Sequence, residues 1–206
     1  MKISREITED LLRIQAVQIN TEEYFTWTSG LKSPIYCDNR LTISAPTVRR
    51  KITEAFIKKI VHLEEKPDVI AGCATAGIPH AAWLGNALDL PLVYVRSEAK
   101  GHGKQNQIEG AIQPGQKVIV IEDLISTGSS AIQAAKALTD AGAHVIHIFA
   151  IFTYGLHKAD EAFKESGFDY DTITTYDLLA TVLEENNQIT NEEKETLLSW
   201  RKTIDE

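Results

Sequence analysis

The sequence predicts an α/β fold: an open, mostly parallel sheet with helices on both faces, plus a small hood built from the N- and C-terminal segments. Three observations lead there. Apolar runs at 69–72 (VIAG), 92–96 (LVYVR), 118–122 (VIVIE) and 145–152 (VIHIFAIF) lack polar alternation, as expected of strands buried on both faces. Helical segments at about 46–62, 78–88, 129–141 and 157–165 alternate with them, the order that builds a parallel sheet by crossovers. The two ends of the chain break this rhythm.

At the N-terminus, Ile7, Leu11, Ile14 and Val17 recur at helical spacing among charges, which predicts an amphipathic surface helix. An aromatic stretch follows, YFTWTSGLKSPIYCDNR at 24–40, which on composition alone reads as core packing. The basic run 49–51 (RRK), with Lys58 and Lys59, falls on the next helix as a solvated face. The segment 170–176 (YDTITTY) adds one more strand, and 177–206 is helical, with Thr190 and Glu193 spaced as a capping box. Neither internal repeats nor a linker-like tract divide the chain. One domain is expected over 1–206, with a core at about 41–176 and a hood at about 1–40 with 177–206.

A formal net charge of −8 argues against nucleic acid as the main partner, since neutralising phosphates needs a basic face. The two cysteines, Cys37 and Cys73, read as free thiols of a cytoplasmic protein. No apolar run has the length of a signal peptide or a membrane span, so no membrane partner is expected. His144 and His147 lie three apart on a strand and point to opposite faces, which excludes a metal pair.

The chemistry concentrates in KVIVIEDLISTGSS at 117–130. An apolar strand runs into Glu122 and Asp123, and Ser126–Ser130 follow at the start of a helix. Amides there lie at the positive end of the helix dipole and suit a phosphate, and Gly128 permits close backbone approach. This is neither a Walker A loop nor a dinucleotide loop. The nearest spacing match, GCATAGIP at 72–79, has Ile78 where the lysine belongs, and 126–130 lacks G-x-G-x-x-G. Two carboxylates beside an anion site need hydroxyls or a cation to face. A ribose 5-phosphate supplies both halves: its phosphate on 126–130, its 2′ and 3′ hydroxyls on Glu122 and Asp123.

The run VIVIEDLISTGSS resembles the phosphoribosyl-pyrophosphate signature of type I phosphoribosyltransferases. Two further stretches narrow the likeness to the orotate phosphoribosyltransferases, over nearly the whole chain. In VYVRSEAKGHGKQNQIEG at 93–110, Arg96, Lys100, His102 and Lys104 are interleaved with Gly101, Gly103 and Gly110, as a mobile lid over a polyphosphate requires. The resemblance implies that Arg96, Lys100, His102 and Lys104 meet the pyrophosphate, and that the lid crosses into a neighbouring subunit of a homodimer. It makes Lys100, His102 and Asp123 catalytic. It extends the phosphoribosyl-pyrophosphate site over Glu122, Asp123, Leu124, Ile125, Ser126, Thr127, Gly128, Ser129 and Ser130. FTWTSGLKSPIYCDNR at 25–40 resembles the orotate hood, with Tyr36 or Phe25 against the ring. Ser126, Lys32, Tyr36 and Tyr154 are the orotate contacts it suggests. GCATAGIP resembles the pyrophosphate loop by its position. The implied cofactor is Mg²⁺, held mainly by the substrate and water, with no direct protein ligand assigned.

Three departures from the family pattern each remove a cation: Thr28 before the Ser-Gly of the hood, Ser97 after the lid arginine, and Tyr154 where an arginine for the orotate carboxylate is common. Lys32 or backbone amides are the remaining candidates for that carboxylate. Two competing readings are a phosphoribosyltransferase for another nucleobase and a regulator that only senses phosphoribosyl pyrophosphate. The hood argues against the first. The acidic chain and the retained Lys100 and His102 argue against the second.

Overall fold

The structure, a computed structural model, describes residues 2–21, 23–26, 30, 32–97 and 107–205. Its centre is a six-stranded sheet of β5 (Val69–Cys73), β6 (Leu92–Val95), β7 (Ile108–Glu109), β8 (Lys117–Ile125), β9 (His144–Thr153) and β10 (Tyr170–Thr175). The spatial order is β10-β9-β8-β5-β6-β7, and every pairing is parallel except β6 with β7. The apolar runs are its core. Val69–Ala71 and Val118–Ile121 are fully buried, as are Ile148 and Ala150–Phe152.

Helices α3 (Gly77–Leu88), α4 (Ser129–Asp140) and α5 (His157–Ser166) make the crossovers. The path β5–α3–β6 steps one way along the sheet, whereas β8–α4–β9 steps the other. Right-handed crossovers then place α3 and α4 on opposite faces. Between β5 and β8 the direction of travel reverses, which opens a crevice at the carboxyl ends of those two strands.

Helix α2 (Pro46–Ile60) starts with proline at its first position and buries Val48, Ile52, Ala55 and Phe56. Its cations are less solvated than expected. Arg49 lies 4.7 Å from the Trp83 ring centroid, Lys51 pairs with Asp10 at 2.6 Å and Lys59 with Asp171 at 2.5 Å. Arg50 and Lys58 are exposed.

Helix α1 (Lys2–Arg13) buries Ile7 and Leu11 but is shorter than its periodicity suggests. Gln15 adopts φ 60° and the Ala16 amide returns to the Leu11 carbonyl at 2.9 Å. Val17 thus leaves the helix and begins β1 (Val17–Ile19), which pairs antiparallel with β4 (Ile35–Cys37). A second ribbon pairs β2 (Phe25–Thr26) with β3 (Lys32–Ser33). Helices α6 (Tyr176–Glu185) and α7 (Asn191–Asp205) complete the chain. The expected capping box opens α7, with Thr190 and Glu193 exchanging bonds of 2.7 and 3.2 Å. The ends of the chain meet where the Trp200 indole donates to the Lys32 carbonyl at 3.0 Å.

His144 and His147 do go separate ways. His144 approaches the exposed Glu65, while the His147 ring centroid lies 4.5 Å from that of Phe149.

Candidate active site

The two carboxylates sit inside a strand rather than at its end. Strand β5 pairs with β8 only as far as Gly72 with Ile121. Strand β8 continues to Ile125, still paired on its other side with β9. The overhang Glu122–Ile125 thus forms one wall of the crevice. Where β5 has stopped, side chains take over the backbone of Asp123. Its amide donates to Glu122 Oε1 (2.9 Å), and its carbonyl accepts from Asn39 Nδ2 (2.7 Å).

Glu122 is 7% exposed and also engages the buried Cys73 thiol. Burial, then the neighbouring Asp123, pushes its carboxyl well above the ordinary range. Asp123 is raised too, chiefly by burial, with Asp38 adding to the rise and Arg40 opposing it. Arg40 itself grips Asp38 through Nε (2.6 Å) and Nη2 (2.7 Å).

The candidate anion site is the start of α4. Gly128 is its N-cap at φ 79°, and no side chain caps the helix. A Cβ at Gly128 would stand 2.6 Å from Phe163 Cε2, so glycine is required by both conformation and packing. Thr127 Oγ1 and Ser129 Oγ lie 3.0 Å apart, and Thr127, Ser129 and Ser130 are exposed. The bare first turn can therefore take a phosphate.

The 72–79 loop lies against the same strand. A Cβ on Gly77 would meet the Ile121 carbonyl at 2.4 Å, and one on Gly72 would meet Ile78 Cα at 2.9 Å. These glycines let the loop and the start of α3 rest on β8 beside Glu122. The thiols of Cys37 and Cys73 are both free and both raised, mainly by burial, which leaves them poor nucleophiles.

The remaining sequence-derived residues are less convergent. Phe25 and Tyr36 are neighbours, with ring centroids 5.9 Å apart and Tyr36 37% exposed. Lys32 Nζ reaches Thr26 Oγ1 at 2.7 Å. The Ser33 side chain is turned inward, with its hydroxyl on the Ile35 carbonyl at 2.7 Å. Tyr154 is 3% exposed and edge-on to Phe152, so its side chain is packed in the core rather than open to solvent. Arg96 closes β6, with its guanidinium 3.5 Å from Glu109. Ser126 and Leu124 are half-buried, and Ile125 is buried. Thr28, Lys100, His102 and Lys104 lie outside the described residues.

Asn39, Thr42 and His80 were not singled out by sequence reasoning. All three are buried, and they form a hydrogen-bonded series that ends on the Asp123 carbonyl. Nothing local marks them, because their partners lie far along the chain. A separate cleft of 710 Å³, lined by Glu9, Arg13, Asn20, Gln188 and Glu193 among others, includes none of the expected site residues.

A crevice at a strand-order reversal, an uncapped helix start and a carboxylate pair on the overhanging strand are the features expected of a phosphoribosyltransferase from the sequence. Residues 42–176 match the phosphoribosyl transferase domain family. The chain is 57% identical over 202 residues to the orotate phosphoribosyltransferase of Oceanobacillus iheyensis, covering 98% of this chain and all of that one. It is 55% identical to that of Listeria monocytogenes, covering 98% and 97%. Among solved structures, the orotate phosphoribosyltransferase of Aeropyrum pernix superposes with a TM-score of 0.75 at 26% identity, over 89% of this chain and 99% of that one. Leishmania donovani UMP synthase gives 0.81 at 28% identity, over 97% of this chain and 42% of that one. The chain belongs to the orotate phosphoribosyltransferases.

Proposed function

We propose that this chain transfers phosphoribose from 5-phospho-α-D-ribose 1-diphosphate to N1 of orotate, releasing pyrophosphate and giving orotidine 5′-phosphate for pyrimidine synthesis. We infer further that it works in the cytoplasm as a Mg²⁺-dependent homodimer whose lid completes the neighbouring site. One observation carries the reading of the donor site. The Glu122–Asp123 pair lies on the overhang of β8, and the uncapped start of α4 follows a few residues on in the chain.

Loss of pyrophosphate from C1′ leaves an oxocarbenium-like centre, so catalysis consists of receiving the leaving charge and holding the acceptor in line. The amides of Ser129 and Ser130 anchor the 5′-phosphate. Asp123, the more open of the two acids, accepts from the ribose hydroxyls. Arg96 stands where the lid leaves β6, and Lys100, His102 and Lys104 are assigned to the pyrophosphate. Phe25 and Tyr36 offer aromatic surface to the orotate ring, with Lys32 nearby for its carboxylate.

Mg²⁺ characteristically takes one or two carboxylates plus substrate oxygens and water, and the partly open Asp123 offers one such carboxylate. Asp123 is the carboxylate placed to face it, since Glu122 is turned onto the Asp123 amide. When bound, the ion would neutralise pyrophosphate charge. Among the described residues, no helix is long and apolar enough to cross a membrane.

The test is direct. Purified protein is given orotate, phosphoribosyl pyrophosphate and Mg²⁺, and orotate absorbance is followed. Orotate should disappear, and omission or chelation of Mg²⁺ should stop it. Turnover of uracil or hypoxanthine with orotate untouched would overturn the assignment.

A further inference from the structure

We propose that Asn39 is a positioning residue for the Asp123 carboxylate, held in place by Thr42 and by His80 from the first turns of α3. The proposal rests on the phosphoribosyl-transfer reading and deepens it. Asp123 lies on the part of β8 that has outrun β5, so no neighbouring strand fixes its backbone on that side. Asn39, 1% exposed, supplies the missing bond by donating from Nδ2 to the Asp123 carbonyl at 2.7 Å. A side chain 84 residues away thus performs the task of a strand. It sets the peptide plane from which the ribose-facing carboxylate projects.

Asn39 is itself fixed. Its main-chain carbonyl accepts from the Thr42 hydroxyl at 2.5 Å, and Thr42 Oγ1 lies 3.0 Å from His80 Nε2. Since the threonine hydrogen is already given to Asn39, the histidine must donate, which fixes its tautomer with Nδ1 bare. His80 is three residues past Gly77, which sits on the Ile121 carbonyl. One buried series therefore links the 72–79 loop, the 39–44 segment and the acid-bearing strand.

The series is a poor device for stability alone. Among the described residues, Asn39 Oδ1 and His80 Nδ1 are buried without a hydrogen-bond partner, and such atoms are destabilising. An apolar side chain in place of Asn39 would leave the Asp123 carbonyl without that partner. What the polar series adds is direction: a donor aimed at one carbonyl.

The experiment compares Asn39→Ala, Thr42→Val and Thr42→Ser with the unmodified protein in steady-state kinetics, with melting curves alongside. Losing the aimed hydrogen bond should lower kcat/KM for phosphoribosyl pyrophosphate about tenfold in Asn39→Ala and in Thr42→Val, while the KM for orotate stays unchanged. The double variant should be no worse than Asn39→Ala, because both act through one series. Thr42→Ser keeps the hydroxyl and should keep the kinetics. Thr42→Val preserves volume and carries the test if Asn39→Ala does not fold. A Thr42→Val protein with normal kinetics and a lower melting temperature would overturn the proposal, as would equal rises in both KM values. Titration of ribose 5-phosphate separates this from failure of the reaction assignment. If the unmodified protein binds it but turns over no orotate, the reaction is wrong. Positioning still requires Asn39→Ala and Thr42→Val to bind it more weakly, and equal binding refutes it.

Discussion

Acid should weaken this fold through His80 before ordinary carboxylates titrate. The ring is 1% exposed, and burial lowers its pKa from 6.5 to about 4. A base depressed in the fold stays neutral there while the unfolded chain takes up a proton below pH 6.5. Its stabilising contribution is complete above 6.5 and is lost as pH falls towards 4. Each pKa unit is worth about 1.4 kcal/mol, so at pH 5 the loss is about 2 kcal/mol, or roughly 1 M in urea midpoint. Urea unfolding followed by far-ultraviolet circular dichroism at pH 7.5 and pH 5.0 measures it, with His80→Gln as the reference. Glutamine does not titrate, so the stability difference between the two pH values should be smaller in the variant by about 2 kcal/mol. His147, also lowered, and the raised Glu122 and Asp123, which act in the opposite sense, are common to both proteins and cancel. An unchanged pH difference in His80→Gln would refute the reasoning.

Asp123→Asn should weaken phosphoribosyl pyrophosphate binding by roughly 1.5–3 kcal/mol, read by titration calorimetry. It should not lower the melting temperature at pH 7.5, because a raised carboxyl loses its stabilising effect as pH rises and asparagine has no such loss. Gly128→Ala should lower the melting temperature, since a left-handed backbone costs an L-residue roughly 1–2 kcal/mol and Phe163 must also shift. Lys100→Ala should reduce kcat about 10²–10³-fold, with little change in orotate affinity. Mixing Lys100→Ala with Asp123→Asn under subunit exchange should restore activity if the lid acts across a dimer. Heterodimers demonstrated with tagged chains but lacking activity would exclude that arrangement.

The sheet was legible because strands buried on both faces need uninterrupted apolar runs, and the crossover helices begin and end within a residue or two of the segments read from sequence. The candidate anion site could be proposed for a similar reason: Ser126–Ser130 open a helix, and the amides there are read from the local sequence alone. What escaped reading depends on distant partners. Strand β8 runs past Glu122 because β9 continues beside it, although β5 has stopped. The apolar period of α1 continues to Val17, yet pairing with Cys37 draws that residue into a ribbon. Arg49, Lys51 and Lys59 looked solvated because Trp83, Asp10 and Asp171 lie elsewhere in the chain. Asn39 carries no local signature, since its function is a single bond to a carbonyl far along the chain.

The missing cap on α4 is one that substitution does not supply. At most helix starts, serine, threonine or aspartate in place of glycine is a simple route to a more heat-resistant variant. At position 128 that route is closed, because any side chain there strains the left-handed backbone and meets Phe163. The fold itself thus keeps the amides of the first turn clear of a tethered competitor. Screens that score only melting temperature should find no gain at this position, and the helix start is better steadied by adding the ligand than by changing the chain.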